Sequence, residues 1–292
     1  MSAIPSLDLA LPAVSTAAAL RETIAGWRKH GLTIGFVPTM GALHAGHVSL
    51  VDLALQRADR VVASIFVNPA QFAPGEDFDA YPRTLTDDAD KLAEAGCHLL
   101  YAPTPDQIYP DGFATRVTVE GPARELESAA RPHFFNGVAT VVSKLFNQVR
   151  PDLAVFGEKD YQQLLVIRRM TRDLDLNVEI LAGPTSREPD GLAMSSRNAY
   201  LGQQARKSAA SLHAILQKLS DEIGDGVALE TALKRAREDA QTAFDSVDYI
   251  EARCADTLSR LSDRPDPAAV RVLGAVRIGG VRLIDNMGVV RR

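Results

Sequence analysis

The chain has 292 residues, of which 46% are hydrophobic, and its formal net charge at pH 7 is −5. This length exceeds that of a typical single domain, so we expect two domains, and the negative charge argues against a nucleic-acid partner. The two cysteines, Cys97 and Cys254, are too few for a disulfide framework or a zinc site. The N-terminus lacks the charged start of a signal peptide, and no apolar stretch is long enough to span a membrane. These features predict a cytoplasmic protein with no membrane partner.

Short apolar segments alternate with amphipathic segments up to about residue 183. Apolar residues at helical spacing predict a first helix: Ala17, Leu20, Ile24 and Trp27. Further helices are predicted over 48–57, 84–96, 138–148 and 161–173. Buried strands are predicted over 33–37, 61–67, 98–101, 153–156 and 178–181. Apolar strands that alternate with helices predict an α/β domain whose parallel sheet is covered on both faces. The irregular segment 104–136 is interpreted as a lid or an edge excursion.

The pattern changes after residue 183, where the segment PTSREPDG at 184–191 resembles a hinge. We therefore predict one domain over 1–183 and a second, smaller domain over 184–292. The predicted elements of the second domain are helices over 209–223 and 229–244 and strands over 247–254, 270–278 and 281–284. Gly279-Gly280 is typical of a two-residue hairpin turn between the last two strands. The second domain is therefore expected to be α+β, with an antiparallel sheet.

The loop after the strand predicted at 33–37 carries residues that suit phosphate binding. Residues 38–47, PTMGALHAGH, lead directly into a predicted helix. Gly41 and Gly46 let the backbone approach a ligand, and a helix N-terminus offers unpaired N–H groups and the positive end of the helix dipole. His44 and His47 lie three residues apart, so both imidazoles can donate hydrogen bonds to phosphate from one side. The two best-known nucleotide-binding loops are absent from the sequence.

Two other interpretations of His44 and His47 are a metal-binding pair and incidental loop residues. A metal pair is disfavoured because no third ligand has a suitable spacing, so no metal site is predicted. Chance placement is disfavoured because the chain has only six histidines, and two of them lie in one glycine-rich crossover. Open α/β sheets also bind ligands at the carboxyl ends of their strands, where this loop is expected.

Three other segments place polar side chains at strand ends or helix starts. Asn68 and Gln71, in FVNPAQF at 66–72, follow a predicted strand, where neutral amides can orient a polar substrate. In FGEKDYQQ at 156–163, Lys159 can reach phosphates and Gln163 lies one turn along the helix. Taken alone, that segment is an ordinary charged helix start. The segment MSSRN at 194–198 offers two hydroxyls and a guanidinium, and taken alone is no more than a helix N-cap.

Five motifs in register resemble one family closely: P-T-M-G-x-L-H-x-G-H, F-V-N-P-x-Q-F, Y-P-R-T, F-G-E-K-D-Y-Q-Q and G-L-A-M-S-S-R-N. This is the pantothenate synthetase (pantoate–β-alanine ligase) family, part of the nucleotidyltransferase superfamily that includes class I aminoacyl-tRNA synthetases. The resemblance extends from about residue 33 to the C-terminal V-R-L-I-D-N. It implies an ATP-dependent ligase, with Mg²⁺ on the phosphates, that condenses pantoate with β-alanine to pantothenate. It also implies a pantoyl-adenylate intermediate, release of AMP and pyrophosphate, a homodimer, and a Rossmann-like N-terminal domain with a smaller mobile C-terminal domain.

The resemblance also implies roles for individual residues. Those implied to contact ATP are Pro38, Met40, Gly41, His44, Gly46, His47, Gly157, Glu158, Lys159, Asp160, Ser186, Met194, Ser195, Ser196 and Arg197. Those implied to be catalytic are His44, His47, Lys159 and Arg197, and those implied to bind pantoate or β-alanine are Asn68, Gln71 and Gln163. The chain departs from the family pattern at Ala73, which is usually glycine, and at His133, which lies one place early. No role is carried over to His133.

The residue types fit the chemistry that the resemblance implies. A carboxylate that attacks the α-phosphate meets like-charge repulsion, which donors and cations around the phosphorus reduce. No covalent nucleophile is needed, and attack by the amine on the activated acyl carbon depends mainly on positioning. Two rival functions are a different adenylyl- or cytidylyltransferase, which would lack N-P-x-Q and E-K-D-Y-Q-Q, and a non-enzymatic nucleotide-binding module. The module would have no reason to keep Lys159, Arg197 and the glutamines. The negative charge disfavours a tRNA synthetase fragment.

Overall fold

The structure is a computed structural model that describes residues 9–73, 76, 78–261 and 269–290. Within that part of the chain, six strands form one parallel sheet in the order β1-β4-β3-β2-β5-β6. The strands are β1 (Ala13–Val14), β2 (Ile34–Thr39), β3 (Arg60–Ile65), β4 (Leu99–Tyr101), β5 (Leu153–Gly157) and β6 (Glu179–Gly183). The helices among them are α1 (Ala17–Arg28), α2 (Ala45–Leu55), α3 (Leu85–Glu94), α4 (Pro105–Ile108), α5 (Glu127–Ala130), α6 (Phe134–Val149) and α7 (Tyr161–Asp173). This arrangement confirms the predicted parallel α/β fold.

Phe36 and Val37 show that helices cover both faces of the sheet. Successive residues of a strand point to opposite faces, and both of these side chains are fully buried. The ring of Phe36 meets Phe146 of α6 edge-on, with centroids 6.4 Å apart. Val37 instead packs in a cluster with Leu50 and Val51 of α2. Because both faces are buried, the strands need continuous apolar segments, as the sequence shows.

The strand order places a topological switch point between β2 and β5. From β2 the chain continues outward to β3 and β4, and it then returns to β5 on the other side of β2. Gly35 and Phe36 of β2 pair with Leu153 and Ala154 of β5. Open α/β sheets bind ligands in the crevice at the carboxyl ends of two such strands. The loop that carries His44 and His47 follows β2, and the FGEKDYQQ segment begins in β5.

Several elements differ in extent from the sequence prediction, and β9 continues to Gly288 rather than ending at 284. The helix α2 begins at Ala45 rather than at 48, so His47 lies in its first turn rather than in a loop. The helix α6 begins at Phe134 rather than at 138, so Gly137 lies inside the helix. The irregular segment 104–136 contains the short helices α4 and α5. The two-residue strand β1 is too short to produce a sequence pattern.

A second, three-stranded antiparallel sheet has the order β7-β8-β9. Its strands are β7 (Ser246–Cys254), β8 (Val270–Ile278) and β9 (Val281–Gly288), and the helices before it are α8 (Gln203–Ala209), α9 (Ser211–Gly224) and α10 (Leu229–Ala243). Leu212 and Leu216 of α9 share a core with Ala236 of α10 and Val272 of β8. The turn residues Gly279-Gly280 both have positive φ, +56° and +79°, as a type I′ hairpin requires. The predicted antiparallel sheet and hairpin are therefore confirmed.

The described residues divide into two compact units. The first unit draws on Met1–Val119, Arg131–Glu158 and Val166–Gly183, and the second on Glu120–Ala130, Lys159–Leu165 and Pro184–Arg292. A domain boundary between residues 183 and 184 stays a prediction. Within the described part of the chain, no helix combines the length and hydropathy needed to cross a membrane.

Candidate active site

The loop between β2 and α2 contains two consecutive residues in the left-handed backbone region. Gly41 has φ +86° and Ala42 has φ +52°. A Cβ added to Gly41 would lie 3.2 Å from Ile65 and 3.1 Å from the carboxylate of Asp88, so both its φ and its surroundings favour glycine. Alanine tolerates this region less readily, so the conformation of Ala42 needs support from its neighbours.

Asp88 of α3 supplies that support from a position with no exposed surface. Its Oδ2 accepts from the backbone N–H of Ala42 at 2.8 Å, and its Oδ1 accepts from the N–H of Leu43 at 2.7 Å. The hydroxyl of Thr84, the last residue of the Y-P-R-T motif, donates to Oδ2 at 3.0 Å. Lys91 donates to the Leu43 carbonyl at 2.9 Å. Successive N–H groups in a turn form a concave site that binds anions, and in this loop the bound anion is the carboxylate of Asp88.

Four further N–H groups of this loop also donate within the protein. The N–H of Gly41 donates to the Thr39 hydroxyl at 3.2 Å, and the N–H of Gly46 donates to Nδ1 of His44 at 3.1 Å. The N–H of His44 donates to Nδ1 of His47 at 3.3 Å, and that of His47 to the His44 carbonyl at 2.8 Å. These N–H groups have partners within the protein, which differs from the expectation that they are unpaired, and their role in phosphate binding stays a prediction.

The same hydrogen bonds determine the tautomers of His44 and His47. Each Nδ1 accepts from a backbone N–H, so in a neutral ring the hydrogen is on Nε2. His44 is the N-cap of α2 and His47 is its third residue, so the two side chains form a capping box. Their ring centroids lie 4.2 Å apart, with the planes tilted by 49°. The helix start thus holds two adjacent Nε2–H donors in defined orientations, a geometry suited to phosphate oxygens.

A buried amide cluster lies after the end of β3, the strand next to β2, whose following loop carries His44 and His47. Asn68 is 1% exposed, and its Oδ1 accepts from the Tyr109 hydroxyl at 2.7 Å and from the N–H of Ala70 at 3.3 Å. Its Nδ2 donates to Oε1 of Gln71 at 3.0 Å and to the carbonyl of Gly137 at 3.2 Å. Burial raises the pKa of the Tyr109 hydroxyl to about 12, so it remains a donor at neutral pH. The hydrogen-bonding capacity of Asn68 is fully used within the protein.

Gln71 is oriented by this cluster and by the chain that follows it. Its Nε2 donates to the thioether of Met40 at 2.9 Å, which is a weak acceptor. Arg131 donates to the Gln71 carbonyl at 3.2 Å and forms a two-point ion pair with Glu76, at 2.9 and 3.0 Å. The guanidinium of Arg131 also lies 3.9 Å from the ring centroid of Phe134. The first unit therefore brings Met40, Asn68 and Gln71 together, as well as the two histidines.

Lys159 lies in the 3₁₀-helix Glu158–Asp160 that joins β5 to α7. Its side chain is 20% exposed, with Nζ 3.6 Å from Oδ1 of Asp160. The two glutamines that follow differ in their surroundings. Gln162 is buried, donates to the Pro122 carbonyl at 2.9 Å and accepts from the N–H of Glu127 at 3.1 Å. Gln163 is half-buried.

The Met194–Arg197 segment is half-buried and ordered by its own hydrogen bonds. Ser195 is the N-cap of the 3₁₀-helix Ser196–Tyr200, and its hydroxyl accepts from the N–H of Arg197 at 3.3 Å. The N–H of Met194 donates to the Ser186 carbonyl at 2.9 Å, which joins two residues that the sequence assigned to ATP. The N-cap interpretation of Ser195 is thus correct. It leaves the hydroxyl hydrogen to donate elsewhere.

Asp88 and Tyr109 support the site but were not identified from the sequence. Asp88 lies on the apolar face of α3 with Leu85, Ala89 and Leu92. A carboxylate on an apolar helix face is the sequence feature that could have indicated this role, because a buried charge requires hydrogen-bonding or charged partners. Tyr109 follows α4 in the irregular segment, where no periodicity marks it. No group of three or more His, Cys, Asp or Glu side chains among the described residues is placed to hold a metal ion.

We expect Asp88→Asn to weaken both the fold and the site. Its new NH₂ group would face one of the two backbone N–H groups, and an unsatisfied buried donor costs about 1–3 kcal/mol. Urea unfolding should show this loss, and kcat should fall because the histidine loop is displaced. Asp90→Asn, which changes an exposed carboxylate beyond the first turn of the same helix, should change the free energy of unfolding by less than about 0.5 kcal/mol. Equal stability and kcat for the two variants would refute the role given to Asp88.

Comparisons with known proteins agree with this fold. The family model described as pantoate-beta-alanine ligase matches residues 12–288. A pantothenate synthetase from Maricaulis maris is 60% identical over 277 residues, which cover 95% of this chain and 96% of the relative. The crystal structure of pantothenate synthetase from Thermus thermophilus has a TM-score of 0.88 and 48% identity, and the match covers 96% of this chain and 100% of that chain.

A pantoate-beta-alanine ligase from Francisella tularensis was solved in complex with beta-gamma ATP and beta-alanine. It has a TM-score of 0.78 and 34% identity, with 95% of this chain and 97% of that chain covered. The family match, the close relatives and the shared fold each extend over nearly the whole sequence. The chain therefore belongs to the pantoate-beta-alanine ligase family, the enzymes that form pantothenate.

Proposed function

We propose that the chain joins pantoate to β-alanine in two steps, with ATP first converting pantoate to a pantoyl-adenylate. The formation of pantothenate is the activity of the family. The observation that carries the proposed phosphate chemistry is the pair of oriented Nε2–H donors on His44 and His47, at a switch point of the sheet. The two steps follow from the family resemblance. The complex of the Francisella tularensis ligase with beta-gamma ATP and beta-alanine supports ATP as a substrate.

In the first step, a carboxylate oxygen of pantoate attacks the α-phosphorus of ATP and pyrophosphate leaves. Both reactants are negatively charged, so the transition state needs donors and cations around the phosphorus. We assign this stabilisation to His44, His47, Lys159 and Arg197. The other proposed ATP contacts are Pro38, Met40, Gly41, Gly46, Gly157, Glu158, Asp160, Ser186, Met194, Ser195 and Ser196. In the second step the amine of β-alanine attacks the acyl carbon, and AMP leaves.

ATP is proposed to bind as its Mg²⁺ complex. Mg²⁺ in phosphate-binding sites usually keeps several waters and takes its other oxygens from the phosphates and one or two carboxylates. Asp160 is the carboxylate of the proposed ATP site that lies beside Lys159, so this donor set fits such a complex without a cage of protein ligands. The ion supplies neutralisation of the phosphate charge.

Gln71 and Gln163 are proposed to bind pantoate, with Gln71 also near β-alanine. The NH₂ group of Gln71 now donates to a thioether, so a hydroxyl or carboxylate oxygen would be a stronger acceptor. We propose that Asn68 acts mainly by orienting Gln71, since a direct contact with substrate requires one of its four hydrogen bonds to be exchanged. This assignment gives recognition of pantoate to neutral amides and stabilisation of phosphate to imidazoles and cations.

Gln71→Ala should raise the KM for pantoate far more than the KM for ATP. Losing a hydrogen bond to a polar substrate costs about 1–3 kcal/mol when the partner is left unsatisfied, which corresponds to roughly a 5- to 150-fold rise. Initial rates with each substrate varied in turn measure both constants. Gln56→Ala, which changes an exposed glutamine at the end of α2, is the control and should leave both unchanged. A rise in the KM for ATP alone would mean that the pantoate pocket is misplaced.

Exchange of labelled pyrophosphate into ATP tests the two-step proposal directly. If adenylate forms first, ATP and pantoate react without β-alanine, so label should enter ATP only when pantoate is present. Exchange that requires β-alanine would overturn the adenylate intermediate. Exchange without any carboxylic acid would show a different acceptor.

We further propose a cytoplasmic homodimer whose domains are residues 1–183 and 184–292. The location is supported by Cys97 and Cys254, which are both buried free thiols. The homodimer is supported by the family resemblance, and sedimentation equilibrium at twice the chain mass would establish it. The domain division is supported by the separate core of the second sheet.

A further inference from the structure

We propose that Asp285 and Asn286, adjacent residues of β9, are positioning residues that hold two segments of the proposed adenylation site. Asn286 holds the backbone of Lys159, and Asp285 holds the chain that leads into Met194–Arg197. This inference rests on the proposed function, because it gives both segments a role in adenylation. We call these two residues the Asp285–Asn286 pair.

Asn286 fixes the backbone of Lys159 through an amide with only one possible orientation. Its Nδ2 donates to the Lys159 carbonyl at 2.8 Å, and its Oδ1 accepts from Nε of Arg271 at 2.6 Å. A carbonyl can only accept and a guanidinium can only donate, so the amide cannot be reversed. The guanidinium of Arg271 also lies 3.5 Å from the ring centroid of Tyr161, two residues after Lys159. Asn286 and Arg271 are both buried, which limits competition from water.

Asp285 binds the second segment through Arg187. Its side chain is 3% exposed, and Arg187 donates to both carboxylate oxygens, at 2.7 and 3.0 Å. Such two-point pairs fix direction as well as distance. Arg187 also donates to the Gly191 carbonyl at 3.0 Å and pairs with Ala193 in an antiparallel bridge. The bridged hairpin ends at Met194, so the ion pair fixes the start of the Met194–Arg197 segment.

The position of the pair on a strand explains how two neighbours reach two segments. Successive residues of a strand point to opposite sides, and β8 holds both in register through Gly274 and Leu273. Nearby buried residues of β9, Val281 and Leu283, are apolar and belong to the core. Burying a polar group lowers the stability of the fold unless the group is hydrogen-bonded. Apolar residues of similar size often stabilise a core at least as much as a buried ion pair does. The polar pair is better explained by positioning than by stability alone.

Asn286→Asp tests the Lys159 contact, because it keeps an oxygen for Arg271 and removes the donor to the Lys159 carbonyl. We expect pantoate-dependent pyrophosphate exchange to fall about 10- to 100-fold, as displacement of a reacting group by about 1 Å can do. The KM for pantoate should change less than about twofold, since the Gln71 cluster is untouched. Asp285→Asn should produce a similar loss of exchange, because it weakens the hold on Arg187.

Double variants distinguish positioning from general stability. If Asn286 acts through Lys159, Asn286→Asp should lower pyrophosphate exchange little further in an enzyme that already carries Lys159→Ala. If Asp285 acts through the Met194–Arg197 segment, Asp285→Asn should likewise lower exchange little further in an enzyme that carries Arg197→Ala. Arg282→Gln is the control, because it breaks a similarly buried ion pair between β9 and Glu127. The fold-decrease in exchange that it causes should be the same with and without Lys159→Ala, so the two decreases should multiply. Multiplying effects for both members of the pair would overturn the inference.

Failure of the inference can be separated from failure of the proposed function. If Lys159→Ala lowers exchange but Asn286→Asp and Asp285→Asn leave it unchanged, the positioning role alone is wrong. If Lys159→Ala and Arg197→Ala leave exchange unchanged, the assigned roles of both segments fail, and the positioning role fails with them. Thermal unfolding followed by circular dichroism identifies a variant that does not fold, and the other member of the pair then decides the outcome.

Discussion

Lys159→Ala should fold normally and lower kcat for pantothenate formation on the order of 100-fold or more. Its ammonium group is proposed to face the α-phosphate, and removal of one donor to a transition state typically costs about 10²–10³-fold in kcat, roughly 2.7–4 kcal/mol. The side chain is 20% exposed and its ion pair with Asp160 is long, at 3.6 Å, so the fold should depend on it little. Steady-state rates at saturating substrates measure the effect.

Lys207→Ala is the matched control, because Lys207 is an exposed lysine of α8 in the same unit. Its kcat should equal that of the unmodified enzyme. A loss of less than about threefold for Lys159→Ala, with unchanged affinity for ATP, would show that the lysine has no part in adenylation.

His47→Ala should abolish pantoate-dependent pyrophosphate exchange, because it removes a proposed Nε2–H donor to the phosphates. It also removes a helix cap, since Nδ1 of His47 accepts from the N–H of His44, and such a loss costs about 0.5–2 kcal/mol. His47→Asn separates the two effects, because its shorter amide can still accept from the His44 N–H but does not reach the Nε2 position. It should be more stable than His47→Ala and equally deficient in exchange.

The second half-reaction offers a further check on the His47 variants. Chemically prepared pantoyl-adenylate, supplied with β-alanine, should still be converted at a substantial rate, since that step needs mainly positioning. Unchanged exchange in His47→Ala would refute the role of the imidazole. Loss of both half-reactions would indicate that the substitution disrupts the whole site.

The parallel sheet was predictable because its strands are continuous apolar segments. The segment 61–67 contains most of β3, and periodicity marked α1 and α7 well. Helix starts were less predictable where tertiary contacts decide them. The helix α2 begins at Ala45 because two histidines cap it, and the glycine inside α6, at 137, is explained by the Ala70 carbonyl, with which a Cβ there would collide. Neither contact has a periodic signature.

Within the candidate site, the residues proposed to contact a ligand were easier to identify than the residues that support them. Histidine, lysine and glutamine at strand ends indicate their chemistry directly. Asp88 gave only the weaker signal of a charge on an apolar helix face, and Asn286 lies far in sequence from the Lys159 carbonyl that it binds. The loop differs from the expected cradle of unpaired N–H groups, because the side chains of Thr39 and Asp88 already accept from the N–H groups of residues 41–43.

The occupation of the Ala42 and Leu43 N–H groups by Asp88 bears on how this motif could be transplanted. The loop keeps its shape through an anion that the protein itself provides, so binding free energy is not needed to order it. A graft of residues 38–47 onto another α/β sheet would lack that anion and would leave Ala42 in a strained conformation without support. The smallest portable unit is therefore the loop together with α3, two segments that lie far apart in the sequence and have to be moved as one.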